Sequence, residues 1–318
     1  MKLAAATLAV ILAAATSASA AETRLSIEGP SGALQGTLAA PDGGPKGPVA
    51  IIIPGSGPTD RDGNNPLGVT AGMYRLLAEA LAAKGVSTVR IDKRGMFGSS
   101  AAAADADNVR MTDYAADVRA WGQEAQKRTS ARCAWLIGHS EGSLIALITA
   151  QQPEGICGLI LVAGASRKMG DILREQLKAN PANAPLLAQA LAALTELEAG
   201  RHVDVSGMHP ALAALFRPSV QGFLIDQMSY DPAALLARYA GPVLVLQGTT
   251  DLQVSMQDAQ RLAGARLSVT MVALEGVNHI LKVAPADPAA NFATYGNSAL
   301  PIAPSLVEAI MAYLARHP

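Results

Sequence analysis

The sequence predicts an α/β protein with a mostly parallel central sheet, helices on both faces of that sheet and an inserted helical cap. Two observations lead to this prediction. From residue 49 onward, short continuous apolar runs alternate with stretches of helical periodicity, which is the pattern of a parallel sheet covered on both faces. Between about 166 and 239 the apolar runs stop, and a helical pattern broken by prolines takes their place.

Length, composition and charge limit the functions that need to be considered. The chain has 318 residues, half of them hydrophobic, which is enough for one large domain with a substantial buried core. Its formal net charge is −1. Binding to the phosphate backbone depends on clustered Lys and Arg that release counterions, so we expect no nucleic-acid partner.

The first 20 residues are typical of a cleavable secretory signal peptide. A start that carries Lys2 precedes an apolar run to Ala15, and small residues follow up to Ala20. The alternative is an uncleaved anchor, but the apolar run is shorter than the ~20 residues that a spanning helix needs. We therefore expect cleavage after Ala20, a periplasmic or secreted location, and no stable membrane insertion after cleavage.

The mature chain is expected to begin with a hairpin and to continue as the core of the sheet. Residues 22–29 and 33–40 alternate apolar and polar side chains around a Gly/Pro turn, so they predict two antiparallel edge strands. The predicted buried strands are 49–53, 86–91, 134–137, 159–163, 243–247 and 267–274, and the predicted core helices are 73–83, 114–126, 141–150 and 305–316. The core is thus assigned to residues 21–165 and 240–318, and the cap insertion to residues 166–239.

The chain has two cysteines, Cys133 and Cys157, and each lies just before a predicted buried strand. If those strands are neighbours in a parallel sheet, the two side chains come within bridging distance. A disulfide and a pair of buried free thiols are both compatible with the sequence.

The clearest chemical motif is Gly-His-Ser-Glu-Gly at residues 138–142, between a predicted buried strand and an apolar helix. In so tight a strand-to-helix turn, the serine adopts a strained backbone conformation that presents its hydroxyl above the sheet. Side chains two positions to either side would collide, and Gly138 and Gly142 avoid that collision. Ser140 is therefore the predicted nucleophile.

A serine hydroxyl needs an imidazole to remove its proton and a carboxylate to orient that imidazole. Asp251 and His279 each follow a predicted core strand, where open α/β sheets place functional groups. The order Ser140, Asp251, His279 is the chain order of serine hydrolases with this type of sheet. Asp258 and Asp226 remain alternatives for the acid.

The oxyanion that forms during acyl transfer needs two preorganised N–H donors. One predicted donor is the backbone N–H of Glu141, the residue after the nucleophile. The other is predicted in the Gly/Pro-rich loop after the strand at 49–53, where Ser56 is the first choice and Gly57 the second.

Three further segments complete a resemblance to a known family. Residues 55–64 (GSGPTDRDGN), 90–100 (RIDKRGMFGSS) and 277–282 (VNHILK), together with the motif around Ser140, resemble bacterial α/β-hydrolase esterases, a branch that is grouped with serine aminopeptidase-like hydrolases. The resemblance implies the α/β-hydrolase fold and hydrolysis of carboxylic esters with small acyl groups, without a cofactor. Pro54 departs from the pattern, since many relatives carry His there.

The sequence thus predicts a serine hydrolase that cleaves carboxylic esters of small or medium acyl substrates through an acyl-enzyme. Serine aminopeptidase-like amide hydrolysis and a non-catalytic binding protein on the same scaffold remain alternatives. No metal is expected, because the Asp-rich stretch 60–64 lacks the terminal Glu of a calcium loop. Phe216 and Phe223 in the cap are compatible with an apolar acyl pocket and also with core packing.

Overall fold

A computed structural model describes residues 20–318, so the predicted leader, apart from Ala20, lies outside the described residues. The centre of this part of the chain is a sheet of eight strands in the order β1-β2-β4-β3-β5-β6-β7-β8. The strands are β1 (Ala21–Ile27), β2 (Leu34–Ala40), β3 (Val49–Ile53), β4 (Ser87–Ile91), β5 (Ala134–His139), β6 (Ile156–Val162), β7 (Val243–Gly248) and β8 (Thr270–Leu274). From β4 to β8 the neighbours are parallel, which confirms the predicted mostly parallel sheet.

Helices cover both faces of the sheet and also fill the segment between β6 and β7. They are α1 (Met73–Ala82), α2 (Met111–Thr129), α3 (Glu141–Thr149), α4 (Met169–Ala179), α5 (Leu187–Glu198), α6 (Pro210–Leu215), α7 (Pro218–Met228), α8 (Pro232–Arg238), α9 (Met256–Gly264), α10 (Pro288–Ala293) and α11 (Pro304–Leu314). Within residues 20–318, none of these helices is long and apolar enough to cross a membrane.

The strands are continuously apolar because each of their faces lies under a separate helical layer. In β3, Val49 and Ile51 pack into the cluster that includes α2, α3 and α9. Ala50 and Ile52 point to the opposite face and pack into the cluster that includes α1 and α11. Successive residues of a strand point to opposite faces, so two covered faces require an unbroken apolar run.

The predicted hairpin forms, but only one of its strands lies at the edge of the sheet. β1 pairs with β2 in antiparallel fashion, and β2 pairs on its other side with β4, again antiparallel. The expectation of two edge strands is therefore wrong for β2. Leu38 and Ala39, which point to opposite faces of β2, pack into the two different core clusters, so this strand is enclosed on both faces like its neighbours in the parallel part.

Within residues 166–239, the segment predicted as a cap, the regular structure consists of helices α4 to α8 and one short 3₁₀ helix. These helices build an apolar cluster of their own, centred on Leu194, Leu197, Leu212, Phe216 and Met228. This third hydrophobic cluster lets the segment hold its shape over the carboxyl ends of the strands.

Cys133 and Cys157 are joined by a disulfide, with their Cα atoms 5.2 Å apart. The bridge forms because β5 and β6 are neighbours in the sheet, with Ala134 paired to Ile156. Of the two alternatives that the sequence allows, the disulfide is thus the one in the structure, and free buried thiols are not.

Candidate active site

Ser140 lies in the tight turn between β5 and α3, with φ 53° and ψ −121°. This left-handed φ is uncommon for a residue with a side chain, and the flanking glycines make the turn sterically feasible. A Cβ on Gly138 would lie 2.3 Å from the carbonyl oxygen of Gly142, and a Cβ on Gly142 would lie 2.3 Å from that of Ile53. The Ser140 N–H donates to the Val162 carbonyl at 2.9 Å, which ties the turn to β6.

The structure brings Asp251 and His279 together at the same edge of the sheet. The distance from His279 Nδ1 to Asp251 Oδ2 is 2.9 Å, and both side chains are buried. The backbone N–H groups of Gln253 and Val254 donate to the other carboxylate oxygen. Burial by itself would raise the pKa of Asp251, but the contact with His279 and these hydrogen bonds outweigh it and hold that pKa below its usual range.

The other two candidate acids have different partners. Asp258 accepts a hydrogen bond from the Ser166 hydroxyl and forms an ion pair with Arg167. Asp226 accepts a hydrogen bond from the backbone N–H of Met111. Of the three candidates, Asp251 is the one in contact with His279.

Ser140 and His279 line one cavity of about 130 Å³, together with Ser56 and Tyr295. In the described part of the chain, no hydrogen bond joins the Ser140 hydroxyl to the His279 ring. Such contacts are often long in an unliganded site and shorten when substrate binds. The arrangement therefore places a hydroxyl and an oriented imidazole beside the same space.

A second histidine, His139, lies directly before Ser140, with its ring centroid 4.8 Å from that of His279. Its Nε2 must donate, because its partner at 2.8 Å is the His279 carbonyl oxygen. Its Nδ1 therefore accepts from the Tyr74 hydroxyl at 2.8 Å. Burial, with a smaller contribution from nearby His279, lowers the pKa of His139 to about 3. His139 is thus neutral with both nitrogens occupied, which leaves His279 as the available base.

The two predicted oxyanion donors, Ser56 and Glu141, flank Ser140 in a larger cavity of about 300 Å³. Glu141 is the first residue of α3, so its N–H has no acceptor within the helix. Within residues 20–318 the Ser56 N–H has no hydrogen-bond partner either. Gly55 lets this loop approach Ser140 closely, since a Cβ there would lie 3.3 Å from the Ser140 Cβ.

A buried ion pair beside Ser140 is the feature that sequence reasoning missed. Lys93 Nζ lies 2.8 Å from Glu141 Oε1, and each side chain is 3% exposed. Lys93 also donates to the Gly55 carbonyl at 2.8 Å, and the second carboxylate oxygen of Glu141 accepts from the Gln227 amide at 3.0 Å. The only signal in the sequence is that Lys93 follows β4 closely, at the edge of the sheet where the site lies.

The larger cavity runs from Ser140 to the cap and has a mixed lining. Its apolar residues are Leu144, Ala165, Met169, Ile172, Leu173, Pro232 and Val254, and its remaining polar residues are Arg167, Gln176, Gln227, Tyr230 and Gln253. Neither phenylalanine suggested from the sequence is part of this lining. Phe216 is buried in the cap's own cluster, and Phe223 packs edge-on against Tyr114, so both belong to core packing.

The Asp-rich stretch after β3 forms a compact loop whose polar groups bind one another and side chains at the end of β4. Asp60 Oδ1 accepts from the backbone N–H groups of Asp62 and Asn64, and Arg61 forms an ion pair with Asp92. No group of side chains suited to hold a metal ion is found within residues 20–318.

Comparison with known proteins gives one family match and one curated relative. A family model described as serine aminopeptidase, S33, matches residues 67–206, a range that contains Ser140 and ends before Asp251 and His279. Esterase EstD of Thermotoga maritima is 23% identical over 258 residues, which cover 78% of this chain and 58% of EstD. The chain therefore spans less than two thirds of that relative's length.

Solved structures resemble this chain over nearly its whole length. The α/β hydrolase GrgF from Penicillium sp. sh18 is 17% identical with a TM-score of 0.61, and the match covers 93% of this chain and 99% of GrgF. Est1E from Butyrivibrio proteoclasticus is 16% identical with a TM-score of 0.56, and the match covers 92% of this chain and 99% of Est1E. At these identities the likeness concerns the fold, and it confirms the fold that the sequence predicts.

Proposed function

We propose that this chain, which has the α/β-hydrolase fold, is a serine hydrolase that cleaves carboxylic esters of small or medium acyl groups through an acyl-enzyme. One observation carries the proposal: the imidazole of His279, held by Asp251 at 2.9 Å, lines the same cavity as the strained Ser140. The similarity to an esterase supports the choice of ester substrates.

In the proposed reaction, His279 Nε2 removes the proton of Ser140 as its Oγ attacks the ester carbonyl carbon. Asp251 holds the Nδ1–H of His279 and stabilises the imidazolium that forms. The oxyanion of the tetrahedral intermediate accepts hydrogen bonds from the N–H groups of Ser56 and Glu141. His279 then protonates the departing alcohol oxygen and afterwards activates a water molecule, which releases the acyl group from Ser140.

The two cavities beside Ser140 suggest where the two parts of the substrate bind. Because His279 must protonate the alcohol oxygen, we place the alcohol in the cavity of about 130 Å³ that His279 lines. The acyl group then extends into the cavity of about 300 Å³, which Ile172 and Leu173 line and His279 does not. A cavity of this size is at the lower end of the range for ligand pockets, in keeping with an acyl group of modest length.

Amide hydrolysis is the second candidate, because the matching family model is described as serine aminopeptidase. An aminopeptidase must bind a charged amino terminus, and a buried charge needs a partner of opposite sign. Among the residues lining the two cavities, the one carboxylate is Glu141, and it is already paired with Lys93. The charge pattern therefore favours an ester.

The first experiment is the substitution Ser140→Ala in the chain that begins at Ala21. We expect kcat for nitrophenyl esters of graded acyl length to fall by at least ~10⁴-fold, and labelling by a fluorophosphonate probe to disappear, with the melting temperature retained. Ser206→Ala, at an exposed position of the cap, is the matched control and should behave as wild type. Unchanged ester turnover in Ser140→Ala would refute the assignment of Ser140 as the nucleophile.

A panel of acyl esters and aminoacyl amides, measured on the same preparation, separates the two candidate reactions. We expect kcat/KM for the esters to exceed that for amides of the same acyl group. The reverse order would replace esterase by aminopeptidase, and absence of both turnover and probe labelling would indicate a binding protein.

We also propose that the chain is exported and cut after Ala20. The disulfide between Cys133 and Cys157 supports this, because such bonds persist mainly in oxidising compartments. Amino-terminal sequencing of the exported chain should begin at Ala21, and a chain that retains Met1 would contradict the proposal.

A further inference from the structure

The two peptide units that meet at Gly55 are each held by one buried side chain. The Gly55 N–H donates to the Tyr74 hydroxyl at 2.9 Å, and the Gly55 carbonyl accepts from Lys93 Nζ at 2.8 Å. In a trans peptide, the carbonyl of one residue and the N–H of the next lie in one plane and point in opposite directions. Holding the Gly55 oxygen therefore fixes the direction of the Ser56 N–H.

Lys93 is itself held by Glu141, the residue whose backbone N–H is the other oxyanion donor. Their charged groups are 2.8 Å apart and almost fully buried, and the ammonium lies 5.3 Å from the centre of the Tyr114 ring. A buried ion pair of this kind has little conformational freedom, because separating the partners would leave each charge buried and unpaired. One ion pair thus connects the loop that carries Ser56 to the start of α3.

The helical cap also reaches this ion pair. Gln227 of α7 is 3% exposed, lines the cavity of about 300 Å³ and donates to the second carboxylate oxygen of Glu141 at 3.0 Å. The position of α7 is therefore coupled through one hydrogen bond to the carboxylate that fixes Lys93.

We propose that Lys93 and Glu141 are positioning residues that set the two oxyanion donors, and that Gln227 couples the cap to them. The inference rests on the proposed function, because an oxyanion exists only if Ser140 attacks a carbonyl carbon. Lys93 acts through the Gly55 carbonyl and the Glu141 carboxylate, and neither its ammonium nor the Glu141 carboxylate takes part in proton transfer.

The test compares Lys93→Met with the double variant Lys93→Met/Glu141→Gln. Lys93→Met leaves the Glu141 charge buried and unpaired, so it should lower both the melting temperature and kcat. The double variant removes that charge, so its melting temperature should recover. Its kcat should stay ~10²-fold below wild type, the size of effect expected when one oxyanion donor is lost, with KM changed by less than about threefold.

The two variants distinguish positioning from a purely structural role. If kcat recovers together with the melting temperature in the double variant, the ion pair is only structural and the proposal fails. It fails equally if Lys93→Met keeps wild-type kcat. Absence of ester turnover in the wild-type protein would overturn the proposed function first, and this inference with it.

Gln227→Leu tests the coupling to the cap. We expect kcat to fall about tenfold, which corresponds to the lower end of the range for one hydrogen bond to a charged group, with little change in the melting temperature of the core. Gln221→Leu is the matched control, since within residues 20–318 Gln221 bonds only to backbone groups of the cap. This variant should lower stability and leave kcat unchanged. Equal kcat losses in both variants, or none in Gln227→Leu, would contradict the coupling.

Discussion

The Asp251 carboxylate uses its full capacity as an acceptor. Oδ1 accepts the N–H groups of Gln253 and Val254 at 2.7 and 3.0 Å. Oδ2 accepts from the Gln247 amide at 3.0 Å and faces His279 Nδ1 at 2.9 Å. A carboxylate offers about four lone-pair directions, so this side chain has one stable orientation. Its contact with Nδ1 in turn fixes the orientation of the His279 imidazole.

Replacing Asp251 with Asn should remove most activity without removing the fold. The amide NH₂ must face either two backbone N–H groups or the Nδ1 of His279. The second arrangement moves the ring proton of His279 to Nε2, where it cannot accept the proton of Ser140. We expect kcat to fall by ~10⁴-fold with little change in KM, measured by steady-state hydrolysis of a nitrophenyl ester.

The matched control for this substitution is Asp287→Asn at the N-cap of α10. Asn caps a helix about as well as Asp, so kcat and stability should both stay near wild type. A wild-type rate in Asp251→Asn would show that another group orients His279.

The limits of sequence reasoning are clearest among the residues around Ser140. Ser140, Asp251 and His279 could be placed because each follows a recognisable strand, and parallel strands bring their carboxyl ends to one edge. The contacts of Lys93 with Glu141 and of His139 with Tyr74 could not be predicted, because each joins elements that meet only when the chain has folded. Contacts of this kind produce no periodic pattern in the sequence.

At the scale of the secondary-structure elements, the carboxylate of Asp258 connects the start of the cap to α9. Asp258, in the first turn of α9, accepts from the N–H and hydroxyl of Ser166 and from the Ser255 hydroxyl, and it pairs with Arg167. Burial would raise the pKa of Asp258, but the bonds to Arg167, Ser166 and Ser255 prevail and lower it to about 2. The carboxylate is therefore charged in the folded chain over nearly all accessible pH.

Asp258→Asn should lower stability in a way that depends on pH. A carboxyl group whose pKa is lower in the folded than in the unfolded chain stabilises the fold above ~4, and this contribution is lost as the pH falls toward 2. We expect the free energy of unfolding at pH 7 to drop by about 1–3 kcal/mol. Denaturant titrations at pH 7, 5 and 3 should show the difference from wild type shrinking only at the lowest pH.

Asp204→Asn is the control for this effect, because Asp204 is exposed in the cap and, within the described residues, its carboxylate bonds only to Ser206. Its stability should stay within about 0.5 kcal/mol of wild type. A difference for Asp258→Asn that grows as the pH falls would contradict the assigned role.

Element boundaries show which sequence signals were reliable. Three of the five prolines that interrupt the helical pattern of the cap begin helices: Pro210, Pro218 and Pro232 are the first residues of α6, α7 and α8, where a missing N–H has no cost. Pro181 begins a 3₁₀ helix, and Pro185 lies inside it. The last strand was predicted to begin at Leu267, but Leu267 is fully exposed and β8 begins at Thr270. An apolar residue in a short run says little about burial until its neighbours in space are known.

At the scale of the whole molecule, the candidate site and the disulfide lie at opposite ends of the sheet. Cys133 precedes β5 and Ser140 follows it, and the six residues of β5 span about 20 Å at ~3.3 Å per residue. The bridge therefore joins the amino-terminal ends of β5 and β6, far from the residues proposed to react. Stability and activity should respond separately to its loss.

The double variant Cys133→Ser/Cys157→Ser tests that separation. The bridge closes a loop with a sequence separation of 24, and its removal should cost about 3.5 kcal/mol by loop-closure entropy, a fall in melting temperature of about 5 °C for a chain of this size. Esterase kcat at 25 °C should be unchanged, because β5 still ends in the same strained turn. Calorimetry with and without reductant provides the control, since reductant should lower the melting temperature of the wild type and leave the variant unaffected. Loss of kcat in the folded variant would show instead that the two ends of the sheet are coupled through β5.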